Sequence, residues 1–168
     1  MAIAASLLPE FDVEMAATRR ILERTPEADA GWRPHAKSST LGELAQHLAV
    51  LPGWMAMTLQ RDELDLSPPG GEPYRTPPFE STAHLMATFD ESSRSAREAL
   101  AAAPDSVFAE PWSLRNAGAT IFTMPRVAVV RSFVMNHLIH HRGQLSVYLR
   151  LRDVPLPSLY GPTADSRM

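Results

Sequence analysis

The chain has 168 residues, 45% of them hydrophobic, and no uninterrupted apolar run of about 18 residues, so it can bury one core and offers no membrane-spanning segment. It contains no cysteine, which removes disulfides, thiolate metal sites and a sulfur nucleophile of its own; any metal must be held by nitrogen or oxygen. The formal charge is −3, and the 16 basic residues, all arginine except Lys37, form no run, which argues against nucleic-acid binding.

The opening stretch MAIAASLLPEFDVEM has no basic region ahead of its short apolar patch and soon meets Glu10, Asp12 and Glu14. It does not read as a signal peptide, and a cytoplasmic protein is expected. Leu8, Phe11, Met15 and Leu22 recur at helical spacing and predict a first helix from about Ser6 to Arg24, ending before Thr25-Pro26. Thr40-Leu41-Gly42-Glu43 has the spacing of a capping box and opens a second helix to about Arg61, softly broken by Pro52. Pro68, Pro69, Gly70, Gly71, Pro73, Pro77 and Pro78 make residues 62–81 a long loop.

A third helix is predicted from about Thr82, where Leu85, Phe89, Ala96, Ala99 and Ala103 keep helical spacing until Pro104. Residues 105–123, with Trp112, Gly118 and the β-favouring Ala119-Thr120-Ile121-Phe122, suggest an irregular excursion or a small hairpin. Thr123 caps a last helix that tolerates Pro125 in its first turn and runs to about Arg152. The expected fold class is all-α: a four-helix bundle in a single domain, residues 1–168, with long loops between helices 2 and 3 and between helices 3 and 4.

Three of the 6 histidines fall within NHLIHHRGQLSVYLRLR, residues 136–152. The core seam of the last helix traces through Val127, Val130, Val134, His137, His141, Leu145 and Tyr148, so His137 and His141 interrupt an apolar stripe one turn apart. His140 is rotated by about 100° and belongs at the margin. On the second helix the seam runs Leu44, His47 or Leu48, Leu51 and Met55, which turns a third imidazole inward. Three histidines from two helices suit zinc, nickel or ferrous iron with positions left open. The same spacing also suits ordinary hydrogen-bonded core histidines, and the residues alone leave both readings standing. Gln144, three positions beyond His141, either steadies that imidazole or closes the seam. Arg142 is expected on the flank, making ion pairs at the surface, and Trp54 and Tyr148 in the core. No H-E-x-x-H, phosphate loop, nucleophile elbow or repeated Glu-x-x-His is present.

The pairing of TLGELAQHLAVLPGW with NHLIHHRGQLSVYLRL about ninety residues on resembles the DinB superfamily (DinB/YfiT-like proteins), over nearly the whole chain. The resemblance implies a homodimeric four-helix bundle holding a divalent metal (zinc, nickel or iron) through His47, His137 and His141. It further implies a metal-dependent transferase that joins a low-molecular-weight thiol to a small-molecule substrate; the charge distribution and the lack of a long apolar run lead to the expectation of no nucleic-acid or membrane partner. A metal-dependent hydrolase and a non-catalytic metal-binding stress protein are the alternatives. No inward carboxylate offers itself as a general base.

Overall fold

The computed structural model describes residues 2–166. Helix α1 (Ile3–Leu22) starts ahead of the periodic stripe and continues through Pro9, with Asp105 Oδ1 accepting from the Ile3 amide at 2.8 Å. It buries Leu7, Phe11, Met15, Ile21 and Leu22. A 3-10 turn (Glu27–Asp29) precedes α2 (Leu41–Val50), which begins on the expected capping box. The Glu43 amide donates to Thr40 Oγ1 at 3.1 Å, and the Thr40 amide donates to Glu43 Oε2 at 2.7 Å. These reciprocal bonds set the phase of the helix and hence the direction of His47 further along it. Leu51 and Pro52 then separate α2 from α3 (Gly53–Gln60).

The stretch 62–81 is not entirely loop, since it contains β1 (Glu63–Asp65) before α4 (Thr82–Ala102). After α4 come α5 (Asp105–Ala109), β2 (Pro111–Asn116) and β3 (Ala119–Pro125). Ala117 and Gly118 turn the hairpin with positive φ of 50° and 79°; at the second, glycine accepts the left-handed geometry without a Cβ clash. Strand β1 pairs parallel with β2, and β2 pairs antiparallel with β3, giving a mixed sheet in the order β1-β2-β3. This sheet overturns the all-α four-helix bundle. Its signal is short for a physical reason: β2 buries only Trp112 and Leu114, β3 is largely exposed, and β1 spans three residues, so no strand sustains a readable alternation. Thr123 is likewise a strand residue and no cap, its hydroxyl 2.7 Å from that of Ser113 across the hairpin.

The last helical rod comprises α6 (Arg126–Val129), a π-helical turn (Val130–Met135) and α7 (Asn136–Leu151). The π turn takes up an extra residue and rotates everything after it by about 100° relative to the expected seam. The buried stripe therefore runs Val130, Val134, Leu138, Arg142, Leu145 and Leu149. His137 and His141 lie half-buried beside the seam, in line with Phe133, and Arg142 lies in it.

Arg142 is thus a core residue, against the surface position expected. Its guanidinium meets Glu14 at 2.6 Å with both side chains buried, and also donates to Thr18 Oγ1 and to Tyr160. The main core lies among α1, α2, α3, α4 and the last rod. A smaller cluster of Trp112, Leu114 and Val129, flanked by Phe122 and Phe133, seats the sheet on that rod. Arg126, also buried, donates to the carbonyls of Thr58 and Arg61 and to Asp62, closing the end of α3 against the start of α6. Among the described residues, no helix is long and apolar enough to cross a membrane.

Candidate metal centre

His47 on α2 and His137 and His141 on α7 come together where these helices pack. His47 Nε2 lies 3.4 Å from His137 Nε2, and His141 Nε2 lies 2.8 Å from the same atom. One ligand atom from each ring falls within 4.8 Å of the other two, a set sized for a single ion. No carboxylate belongs to this set among the described residues.

The backs of two rings are tied to acceptors. His137 Nδ1–H donates to the Phe133 carbonyl at 3.3 Å, and His141 Nδ1–H donates to Gln144 Oε1 at 2.6 Å. With both Nδ1 atoms protonated, the neutral rings present Nε2 lone pairs to each other. Two lone pairs at 2.8 Å repel unless a cation lies against them. A proton is a poor candidate for that cation. Burial, with the neighbouring imidazoles His141 and His137, lowers His47 from its ordinary value to about 4. Burial likewise lowers His137 and His141, against the smaller opposing pull of the Phe133 and Gln144 hydrogen bonds. The three imidazoles are therefore neutral at neutral pH, the form in which histidine ligates a metal. The donor set fits a divalent metal, with zinc, nickel and ferrous iron all compatible.

One wall is aromatic. Trp54 of α3 stacks on Phe133 at 5.4 Å between ring centroids and turns its edge towards His137 at 6.2 Å. Its indole N–H donates to the Tyr74 hydroxyl at 2.8 Å, which straps the proline-rich segment after β1 across this end of the molecule. Phe122 of β3 meets Phe133 at 5.2 Å, so the sheet that the periodicity concealed buttresses this wall. On the other side, a cavity of about 820 Å³ reaches the centre through His47, with Thr40, Glu43, Arg75 and Phe79 on its walls.

The structure brings His47, His137 and His141 together and places Gln144 behind His141. His140 is exposed, with its ring 5.1 Å from that of His141, and adds no nitrogen to the set. His35 and His84 are exposed, away from the centre. Phe133, Tyr74 and Arg75 were not read from the sequence. Phe133 carried one available signal, lying four residues before His137 on the same face; the other two sit in an irregular segment whose path has no periodicity to follow.

A family model described as the DinB superfamily matches residues 10–145. The chain belongs to the DinB superfamily. Among solved structures it is similar to a DinB-like protein from Bacillus cereus ATCC 10987, with 21% identity and a TM-score of 0.72 over 95% of this chain and 98% of that one. A DinB-like protein from Bacillus subtilis shares 17% identity and a TM-score of 0.66 over 97% and 99%. A DinB family protein from Exiguobacterium sibiricum 255-15 shares 19% and 0.59, over 98% of each chain. At these identities the DinB likeness speaks for the fold. No curated protein matches.

Proposed function

We propose that this DinB protein is a metal-dependent transferase that joins a low-molecular-weight thiol to a small-molecule electrophile at a divalent ion held by His47, His137 and His141. The observation that carries the reading is the convergence of three neutral imidazoles, with the Nε2 atoms of His137 and His141 2.8 Å apart and their Nδ1–H groups turned to Phe133 and Gln144. When bound, a dication supplies Lewis acidity and lowers the pKa of a thiol or water that occupies an open position.

The chain's own residues do the rest. Phe133 and Gln144 hold the tautomers and aim the rings, while Trp54 and Phe133 restrict solvent on one side. Three ligands leave room for an exogenous group, unlike a closed structural site of four. The same three ligands would serve bound water as well as a thiol; a thiol is the nucleophile proposed because it is the more readily ionised and needs less help from a base. A cysteine-free chain must take that thiol from outside.

Metal analysis by plasma mass spectrometry on untagged protein tests the site. About one equivalent of zinc, nickel or iron is expected in the wild type, lost in His47→Ala and His137→Ala. Turnover that needs added thiol supports the transferase. Metal-dependent release of a leaving group without thiol would make it a hydrolase, and a cobalt-substituted sample whose spectrum ignores both thiols and small anions would mark a non-catalytic metal protein.

A further inference from the structure

The cavity beside His47 carries charge that the three histidines do not explain. Its floor is the beginning of α2 and its roof the proline-rich segment from Arg75 to Phe79. The charged side chains on its walls are Glu43 and Arg75. Glu43 is already engaged: its carboxylate closes the capping box on the Thr40 amide, which is the main reason its pKa is lowered, with Arg33 adding to the effect. Arg75 differs, being exposed and making no ion pair or hydrogen bond with a described residue.

The helix amides that might otherwise attract an anion are also taken. Leu41 donates to the Trp32 carbonyl, Gly42 to that of Ala30, and Glu43 to Thr40 Oγ1. Anion recognition here therefore falls to the guanidinium, which presents a planar fork of donors matched to a carboxylate. A dication at the three neutral histidines would leave the whole cavity positive, Glu43 included. A cavity of about 820 Å³ with His47 of the metal set on one wall and a free arginine on another has room for a small molecule between them.

We infer that this cavity binds an anionic small molecule, its carboxylate paired with Arg75 and its reacting end directed to the His47 side. This rests on the proposed metal site and adds to it the substrate's charge and the residue that selects it.

The test uses cobalt-substituted full-length protein titrated with ω-mercaptocarboxylates from 3-mercaptopropionate to 6-mercaptohexanoate, against 2-mercaptoethanol and cysteamine, and reads the sulfur-to-cobalt charge-transfer band. At least one chain length should bind about tenfold or more tighter than the uncharged thiol, and cysteamine should bind more weakly than it. Arg75→Gln should abolish the advantage of the carboxylate while leaving cobalt stoichiometry and 2-mercaptoethanol affinity unchanged, and Arg75→Lys should restore part of it. Equal affinities for charged and uncharged thiols, or an advantage that survives Arg75→Gln, would overturn the inference while leaving the metal site intact. A cobalt spectrum that no thiol alters, or failure to bind cobalt, would overturn the open metal site and this inference together.

Discussion

Gln144 decides which nitrogen of His141 is available, because its Oε1 holds Nδ1–H at 2.6 Å and leaves Nε2 to face His137. Replacing it with leucine keeps the fold, since the side chain is exposed, but frees the imidazole to rotate and change tautomer. Metal affinity should fall about 10- to 100-fold, measured by competition with a chromophoric chelator; an unchanged affinity would mean that the contact does not orient the ligand. Glu14 and Arg142 pose a different question one residue further round α7. Both side chains are buried, and Tyr160 donates its hydroxyl to the same carboxylate. Glu14→Ala leaves a guanidinium without its counter-ion in the core and should cost about 3–5 kcal/mol in urea unfolding. The double variant Glu14→Leu/Arg142→Met should recover most of that loss, because the penalty lies in the orphaned charge. A double variant as unstable as the single one would show that the arginine's packing matters more than its partner.

Helices α1 and α4 and the start of α2 could be read from local pattern, the last through the Thr40–Glu43 capping box, whose geometry is as its spacing predicts. The three histidines were visible by their spacing on two helices that pack together, although His137 and His141 lie beside the buried seam and not in it. What stayed hidden was cooperative over longer range. The sheet depends on β1 and β2, which lie far apart in sequence and join in parallel, and on two buried residues of β2 whose alternation is too brief to register. The π turn has no compositional mark, yet it moves Arg142 into the seam and leaves His137 and His141 beside it. Deleting Ser132, an exposed residue within that turn, should let the rod continue as a regular α-helix and rotate its two halves by about 100° relative to each other. The expected outcome is a helical protein by circular dichroism with a lower melting temperature and no stoichiometric metal. Full metal occupancy in this variant would show that the π turn does not set the histidine phase.

For the molecule as a whole, the three histidines link folding to both protons and metal. An unfolded histidine titrates near about 6.5, whereas burial beside two other imidazoles lowers His47 to about 4 and lowers His137 and His141 as well. Between these limits the unfolded chain binds more protons than the folded one, so the metal-free protein loses stability as pH falls from about 6.5 towards 4 and gains none from these groups above that window. Urea midpoints of the metal-free protein should therefore decline from pH 7 to pH 5, and His47→Gln should decline less steeply, having one fewer suppressed proton. Metal adds a second dependence of the same sign, because protons compete for the lone pairs that would hold it. At a free metal concentration about a thousandfold above its dissociation constant, binding should stabilise the fold by about 4 kcal/mol at neutral pH, a margin that chelation removes and acid erodes. A wild type and His47→Gln with equal acid slopes would place the pH dependence elsewhere in the chain. A melting temperature indifferent to chelator at pH 7 would mean that the repulsion between the Nε2 atoms of His137 and His141 is relieved by something other than a bound metal.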